Sequence, residues 1–157
     1  MPDEPDDSPV LIAYDGSEFA NSAIAAVSAE LRPGREAVVL TVAEPVKAMP
    51  FLGVAGVAVD DGAVEEVLRS NREGAEKVAA RGAELAREGG LEARPLVVEG
   101  DPVWRVIIDT SEELRAKLIA IGSHGRSGLS FVVLGSVAAA VAQHSKRLVL
   151  IAHPEDA

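Results

Sequence analysis

The 157-residue chain has no cysteine, so it can form neither a disulfide framework nor a thiolate metal site. That absence is compatible with a reducing cytoplasm, the location expected here. Aromatic residues are scarce, at 3%, which leaves Val, Leu, Ile and Ala to fill an interior. Such a core suits a sheet covered by helices better than an aromatic-rich sandwich. No apolar run reaches the roughly 20 residues that span a bilayer, and the longest nearly apolar stretch, 129–142, is interrupted by Ser130, Gly135 and Ser136. A membrane is therefore not an expected partner. Basic residues are outnumbered, 15 against 25 acidic, for a net charge of −10. A surface of that sign repels polyphosphate backbones, so general nucleic-acid binding is not expected either. A local phosphate site built from backbone N–H groups does not depend on net charge and stays open.

What is present fits one domain. The composition, 48% hydrophobic and 25% charged, is that of a folded globular protein, and the length is too short for two comfortable domains. Residues 1–8, with Asp3, Glu4, Asp6 and Asp7, read as an acidic flexible tail, opposite in character to a signal peptide. The domain proper is expected over 9–154.

Short apolar runs alternate with helical patterns. Pro9 to Tyr14 reads as a buried strand closed by the Asp15-Gly16-Ser17 turn,. Ser17 is a natural N-cap for a helix with Ala20, Ala23, Ile24, Val27 and Leu31 on one face, stopped at Pro33-Gly34. Ala37 to Ala43 is a second strand. The stretch 44–61 is long, apolar and dotted with Pro and Gly; it reads either as a functional loop or as a cover in which Phe51 and Leu52 close the core edge. Gly62 to Glu88 carries Val64, Val67, Leu68, Ala75, Val78, Ala79, Leu85 and Ala86 at helical spacing, with Gly89-Gly90 as the stop. A third strand lies in Leu91 to Glu99, where Pro95 argues for a sheet edge. Asp101-Pro102 reads as an N-cap and first-turn proline for a helix through Val103, Val106, Ile107 and Leu114. Lys117 to Ile121 is a fourth strand, Val133 or Gly135 to His144 a last helix, and Arg147 to Ala152 a fifth strand. Buried strands alternating with helices predict a parallel sheet with helices on both faces.

The chemistry concentrates in 119–138, IAIGSHGRSGLSFVVLGSVA. A strand ends at Gly122, a glycine-rich turn runs to Gly125, and nine residues later Gly135-Ser136 opens a helix. Glycines permit positive φ and a close backbone approach to an anion. A helix start aims unpaired N–H groups and a positive dipole end at the same place. Neither GxGxxG after the first strand nor GxxxxGK[ST] occurs, so this is neither a Rossmann dehydrogenase nor a P-loop NTPase.

Gly122-x-x-Gly125, nine residues, then Gly135-Ser136 resembles the G-2x-G-9x-G-[S/T] signature of the ATP-binding branch of the universal stress protein family. VLIAYDGSEFANSAI at 10–24, Gly100-Asp101-Pro102 and IAIGSHGRSGL at 119–129 extend the likeness over the whole chain after the tail. The resemblance implies an α/β fold with one open five-stranded parallel sheet in the order 3-2-1-4-5 and helices on both faces. It places a ligand at the carboxyl ends of strands 1 and 4, where that order reverses, the general ligand position in such sheets. It further implies that Asp15 bonds a ribose hydroxyl, that Ala13 lines the nucleoside, and that Val42 meets adenine through its backbone. Ile121, Gly122, Ser123, His124, Gly125, Arg126 and Ser127 would follow the ribose and phosphates. Gly135, Ser136 and Val137 would hold the phosphates by N–H groups and the serine hydroxyl. ATP, ADP or AMP is the expected ligand, with Mg²⁺ or Mn²⁺ arriving on the phosphates, and a homodimer through the fifth strand (Arg147 to Ala152) the expected assembly. Ala138 departs from the pattern, since ATP-binding members can carry a hydroxyl there.

Each assignment has a plainer reading. Asp15 could merely cap the first helix, Gly135 could be a packing glycine, and Arg126 a solvated surface residue. His124 suggests a general base, yet its neighbours offer no obvious nucleophile and no second histidine or carboxylate adjoins it in sequence, which favours its backbone over its ring. No catalytic residue and no protein metal ligand are assigned. The leading function is therefore a nucleotide-binding stress-response module with slow or no turnover. The alternatives are a slow ATPase or phosphotransferase using His124 or Ser136, and a dimeric interaction protein without nucleotide. RNA binding through the GxxG turn fails on charge and on the buried parallel strands.

Overall fold

The computed structural model describes residues 8–46, 61–126 and 133–154. The acidic tail (1–7), most of the apolar stretch after Glu44 (47–60) and Ser127 to Val132 lie outside the described residues, as do the readings made on them.

Among the described residues, five strands and four helices alternate: β1 Val10–Ala13, α1 Glu18–Glu30, β2 Glu36–Ala43, α2 Asp61–Glu88, β3 Glu92–Glu99, α3 Val103–Glu113, β4 Leu118–Gly122, α4 Ser136–His144 and β5 Leu148–Ala152. The strands form one parallel sheet in the order β3-β2-β1-β4-β5, as expected. Successive side chains of a strand point to opposite faces, and both faces of β1 are buried. Val10 and Ile12 join Ile24, Val27, Val39 and Ala83 under α1 and α2. Leu11 and Ala13 join Leu40, Ile107, Ile121 and Val141 under α3 and α4. Pro95 sits in β3, which pairs only with β2, so its missing N–H costs no ladder bond.

The start of α3 and the buried face of α2 differ from the sequence expectation. Pro102, not Asp101, occupies the N-cap of α3 with extended backbone (φ −79, ψ 148), and its carbonyl accepts from Arg105 and Val106 N–H. A proline contributes an acceptor there without needing a donor, which is why the helix begins one residue later than Asp-Pro suggests. In α2, Val67 is 50% and Leu68 45% exposed; the buried positions are Ala79, Gly82, Ala83 and Ala86. A 28-residue helix is about 42 Å long, whereas an eight-residue strand covers about 27 Å, so the first turns of α2 overshoot the sheet. The packed half approaches closely: a Cβ on Gly82 would lie 2.6 Å from the Tyr14 ring and 2.8 Å from Val39 Cγ1.

Candidate functional site

A cavity of about 660 Å³ opens at the carboxyl ends of β1, β2 and β4, against the start of α4, within the ~300–1,000 Å³ usual for small-molecule sites. Of the residues picked from sequence, Ala13, Asp15, Val42, Ile121, Gly122, His124, Gly125, Arg126, Gly135, Ser136 and Val137 all line it. Ser123 does not; it is fully buried behind the wall. Ser127 is outside the described residues.

On one side the walls are strand ends. β1 stops at Ala13, after which Tyr14 N–H donates to Leu40 O (2.8 Å) and Thr41 Oγ1 donates to Tyr14 O (2.8 Å). Backbone groups two residues apart in a strand point the same way. The N–H and C=O of Val42 therefore face the side Leu40 O faces, beyond the end of β1 and into the cavity. Two apolar positions of α3, Val103 and Ile107, form the floor with Leu40. The Tyr14 hydroxyl donates to Asn21 Oδ1 (2.8 Å). Burial pushes its pKa up and nearby Asp15 adds to this, while Arg81 opposes it.

On the other side stands the loop after β4. The Asp15 carboxylate joins the two sides: Oδ1 accepts from Ser17 N–H (3.0 Å) and Oδ2 from Arg126 N–H (3.1 Å). Ser17 caps α1 by accepting from Ala20 N–H (3.2 Å), so capping falls to Ser17 and Asp15 is left to bridge β1 and the loop. A Cβ on Gly125 would come within 2.9 Å of Asp15 Oδ2.

Each loop glycine does a different job. None of Gly122, Gly125 and Gly135 has positive φ; among the described glycines that belongs to Gly16, Gly34 and Gly90. Gly122 is a packing glycine, since a Cβ there would strike the Phe19 backbone at 2.5 Å. Gly135 sits against His124 Cα and Ser123 O, each 3.1 Å from a built Cβ, and its N–H donates to Ser123 O (2.8 Å). That N–H is thus spent on holding the loop, a correction to the expectation that it meets phosphate. Gly135 is also the N-cap of α4 and brings no side-chain cap, so the first-turn N–H groups of Ser136, Val137 and Ala138 have no intrahelical acceptor. They carry the positive end of the helix dipole into the cavity.

The His124 ring packs on Phe19 (5.1 Å between centroids). Its Nδ1 lies 3.1 Å from Ser123 Oγ, and its Nε2 is buried without a hydrogen-bond partner. The Ser–His pair is no nucleophile dyad, because Ser123 is 0% exposed and no substrate atom can reach its hydroxyl. No grouping of three or more His, Asp or Glu suited to a metal occurs among the described residues.

Sequence reasoning missed Tyr14, Thr41, Glu44, Val103, Ile107 and Leu134, which also line the cavity. Thr41 and Glu44 flank the Val42 position and could have been found from it. Val103 and Ile107 were visible only as a helix face.

The model of the universal stress protein family matches residues 8–153. Universal stress protein YxiE of Bacillus subtilis is 32% identical over 152 residues, 90% of this chain and 96% of its own. Among solved structures, hypothetical protein MJ0577 superposes with a TM-score of 0.74 at 23% identity, covering 96% of this chain and 98% of that one. A universal stress protein in complex with cAMP gives a TM-score of 0.56 at 23% identity (93% and 96% covered), and one from Archaeoglobus fulgidus in complex with dAMP gives 0.57 at 20% (92% and 97% covered). Among the described residues no helix is long and apolar enough to cross a membrane. With the family model spanning residues 8–153 and the sheet order matching that of its structural neighbours, the chain belongs to the universal stress protein family.

Proposed function

We propose that this chain is an adenine-nucleotide-binding regulatory module of the cytoplasm that turns its ligand over slowly or not at all. The observation that carries this is the juxtaposition, in one cavity, of an uncapped helix start at Gly135-Ser136, a close-approach glycine at Gly125, and the exposed backbone of Val42. Adenine would bond to the Val42 backbone, the ribose would lie by Ala13 and Asp15, and the phosphates would meet the N–H groups of Ser136 and Val137 with the Ser136 hydroxyl. The cAMP and dAMP held by two structural neighbours share adenine, a sugar and one phosphate, the parts this cavity is built to grip. The resemblance to the ATP-binding branch points to ATP, with ADP or AMP as alternatives. A Mg²⁺ or Mn²⁺ ion would ride on phosphate oxygens, since the described residues bring no carboxylate cluster to that end.

Nucleotide content tests the reading. With one Trp and one Tyr the protein absorbs weakly at 280 nm, so bound adenine distorts its ultraviolet spectrum, and heat-released ligand can be named by ion-exchange chromatography. A protein that carries no nucleotide and gives no calorimetric signal with millimolar ATP and Mg²⁺ would refute it.

The same reading includes a homodimer. Among the described residues β5 pairs with β4 alone, no strand adjoins its other edge, and Leu148 is 73% exposed. An open apolar edge strand invites another chain, and antiparallel pairing of two fifth strands closes at two copies. Val149→Pro deletes a backbone donor and is expected to shift the dimer toward monomer in light scattering. A wild-type protein monomeric across micromolar concentrations would remove the dimer.

A further inference from the structure

α4 carries the donors at the candidate site, yet little holds it. It has nine residues, about 14 Å of length, and Ala138 and Val141 are its only buried residues. Positions three apart share one face of a helix, so both lie on a single stripe. A helix seated along one stripe can still roll about it, and rolling swings the first-turn N–H groups of Ser136 and Val137 across the cavity. Each end therefore needs a hold. At the start it is Gly135 N–H on Ser123 O (2.8 Å). At the far end it is a ring pair. The imidazole of His144, the last residue of α4, lies on the indole of Trp104 with centroids 4.8 Å apart and planes 27° from parallel. Trp104 is a fixed platform. It is half-buried against the core beneath α3 and α4, and the Arg105 guanidinium sits over its ring, 5.0 Å from the centroid.

We propose that Trp104 and His144 are a positioning pair that sets the roll of α4 and so aims its N–H groups at the ligand's phosphates. This rests on the nucleotide reading above and adds two residues to it. Neither ring is among those lining the cavity, so neither touches ligand; both act through the helix. Trp104 belongs to α3, whose Val103 and Ile107 do line the cavity. The stack thus joins the helix that floors the cavity to the helix whose start faces it. Aromatic rings at this separation attract and resist sliding, and a helix this short carries a shift at His144 to Ser136 as a rigid element. A contact that only stabilises the fold and one that positions α4 differ in what they change. The first alters how much protein is folded and leaves the folded protein's preference among ligands alone. The second changes affinity only for ligands that reach the start of α4. Such coupling is reciprocal: if the stack favours phosphate binding, phosphate favours the stack, and Trp104, the chain's single tryptophan, reports it.

Calorimetry and tryptophan emission on the full chain, with ATP and Mg²⁺ and separately with adenosine, test this. His144→Ala is expected to weaken ATP binding about three- to tenfold and to leave adenosine within about twofold. His144→Phe keeps a ring on the indole and should return ATP affinity to within about twofold of the wild type. Gln143→Ala, exposed in the same turn, should match the wild type for both ligands. In the wild type, ATP should change the Trp104 emission and adenosine should not, and His144→Ala should abolish the ATP response. Equal losses for ATP and adenosine in His144→Ala, no loss for either, no rescue by phenylalanine, or an emission indifferent to ATP would each overturn the positioning role while nucleotide binding stands. A wild type that binds neither ligand overturns the nucleotide reading and this inference together.

Discussion

The two walls of the crevice are held by different means. The wall proposed to meet the nucleoside is made of strand ends: Ala13, Leu40 and Thr41 are buried, and continuous pairing with β3 fixes β2 through Ala43. The wall proposed to meet the phosphates is a loop and a helix start, tied down by a few single contacts. Gly135 N–H to Ser123 O, Ser123 N–H to Ala152 O (both 2.8 Å) and Arg126 N–H to Asp15 Oδ2 are the principal ones. A wall built of sheet tolerates a changed side chain because its backbone is overdetermined. A wall built of single contacts does not, because one displaced atom moves the donors that face the ligand.

Gly135→Val probes that contrast most severely. Its new Cβ would meet His124 Cα and Ser123 O at 3.1 Å, and overpacking of this kind costs about 1–3 kcal/mol. Because the strain falls on the loop, ATP affinity in calorimetry should drop by about two orders of magnitude or more while circular dichroism stays native. Gly125→Val comes next. Its Cβ would sit 2.9 Å from Asp15 Oδ2, breaking the bridge between the walls, with an expected loss of about 2–3 kcal/mol in binding.

Asp15→Ala removes an acceptor from Ser17 N–H and from Arg126 N–H and should cost about 1–2 kcal/mol of stability in urea unfolding. Its binding defect should be similar for adenosine and for ATP, as expected of a ribose contact. Ser136→Ala has the smallest effect, roughly tenfold or about 1–2 kcal/mol, and it should appear with ATP and vanish with adenosine. If Ser136→Ala abolished ATP binding while Gly135→Val spared it, side-chain rather than backbone geometry would govern the phosphate side.

The sequence made the strands plain, because runs such as Val10–Ala13 and Val38–Leu40 are buried on both faces and need no polar alternation. Ser17 was legible as a cap from residue type and position. The sheet order came through the family resemblance, since nothing in periodicity tells which strand neighbours which. What stayed hidden depends on proximity in space. Gly122 and Gly135 look alike as letters, yet one clears the Phe19 backbone and the other spends its N–H on Ser123. Val67 and Leu68 fit a helical face whose packing ends before it reaches them. Val103 and Ile107 carry no polar mark of a site; they join it because α3 crosses beneath the end of β2.

The cavity lining comes from separate stretches of chain, around residues 13–20, 40–44, 103–107, 121–126 and 133–138. None of these stretches holds even a third of it, so an unfolded chain has no assembled cavity with which to grip a nucleotide. A ligand that sees only the folded form stabilises it by mass action, by about 2.7 kcal/mol at roughly 100 times its Kd, and so raises the melting temperature. For a domain of this size that amounts to ~5–10 °C. A panel of unlabelled nucleotides can therefore be ranked by heat alone, and a cell rich in the preferred one would keep this protein folded longer than a depleted cell.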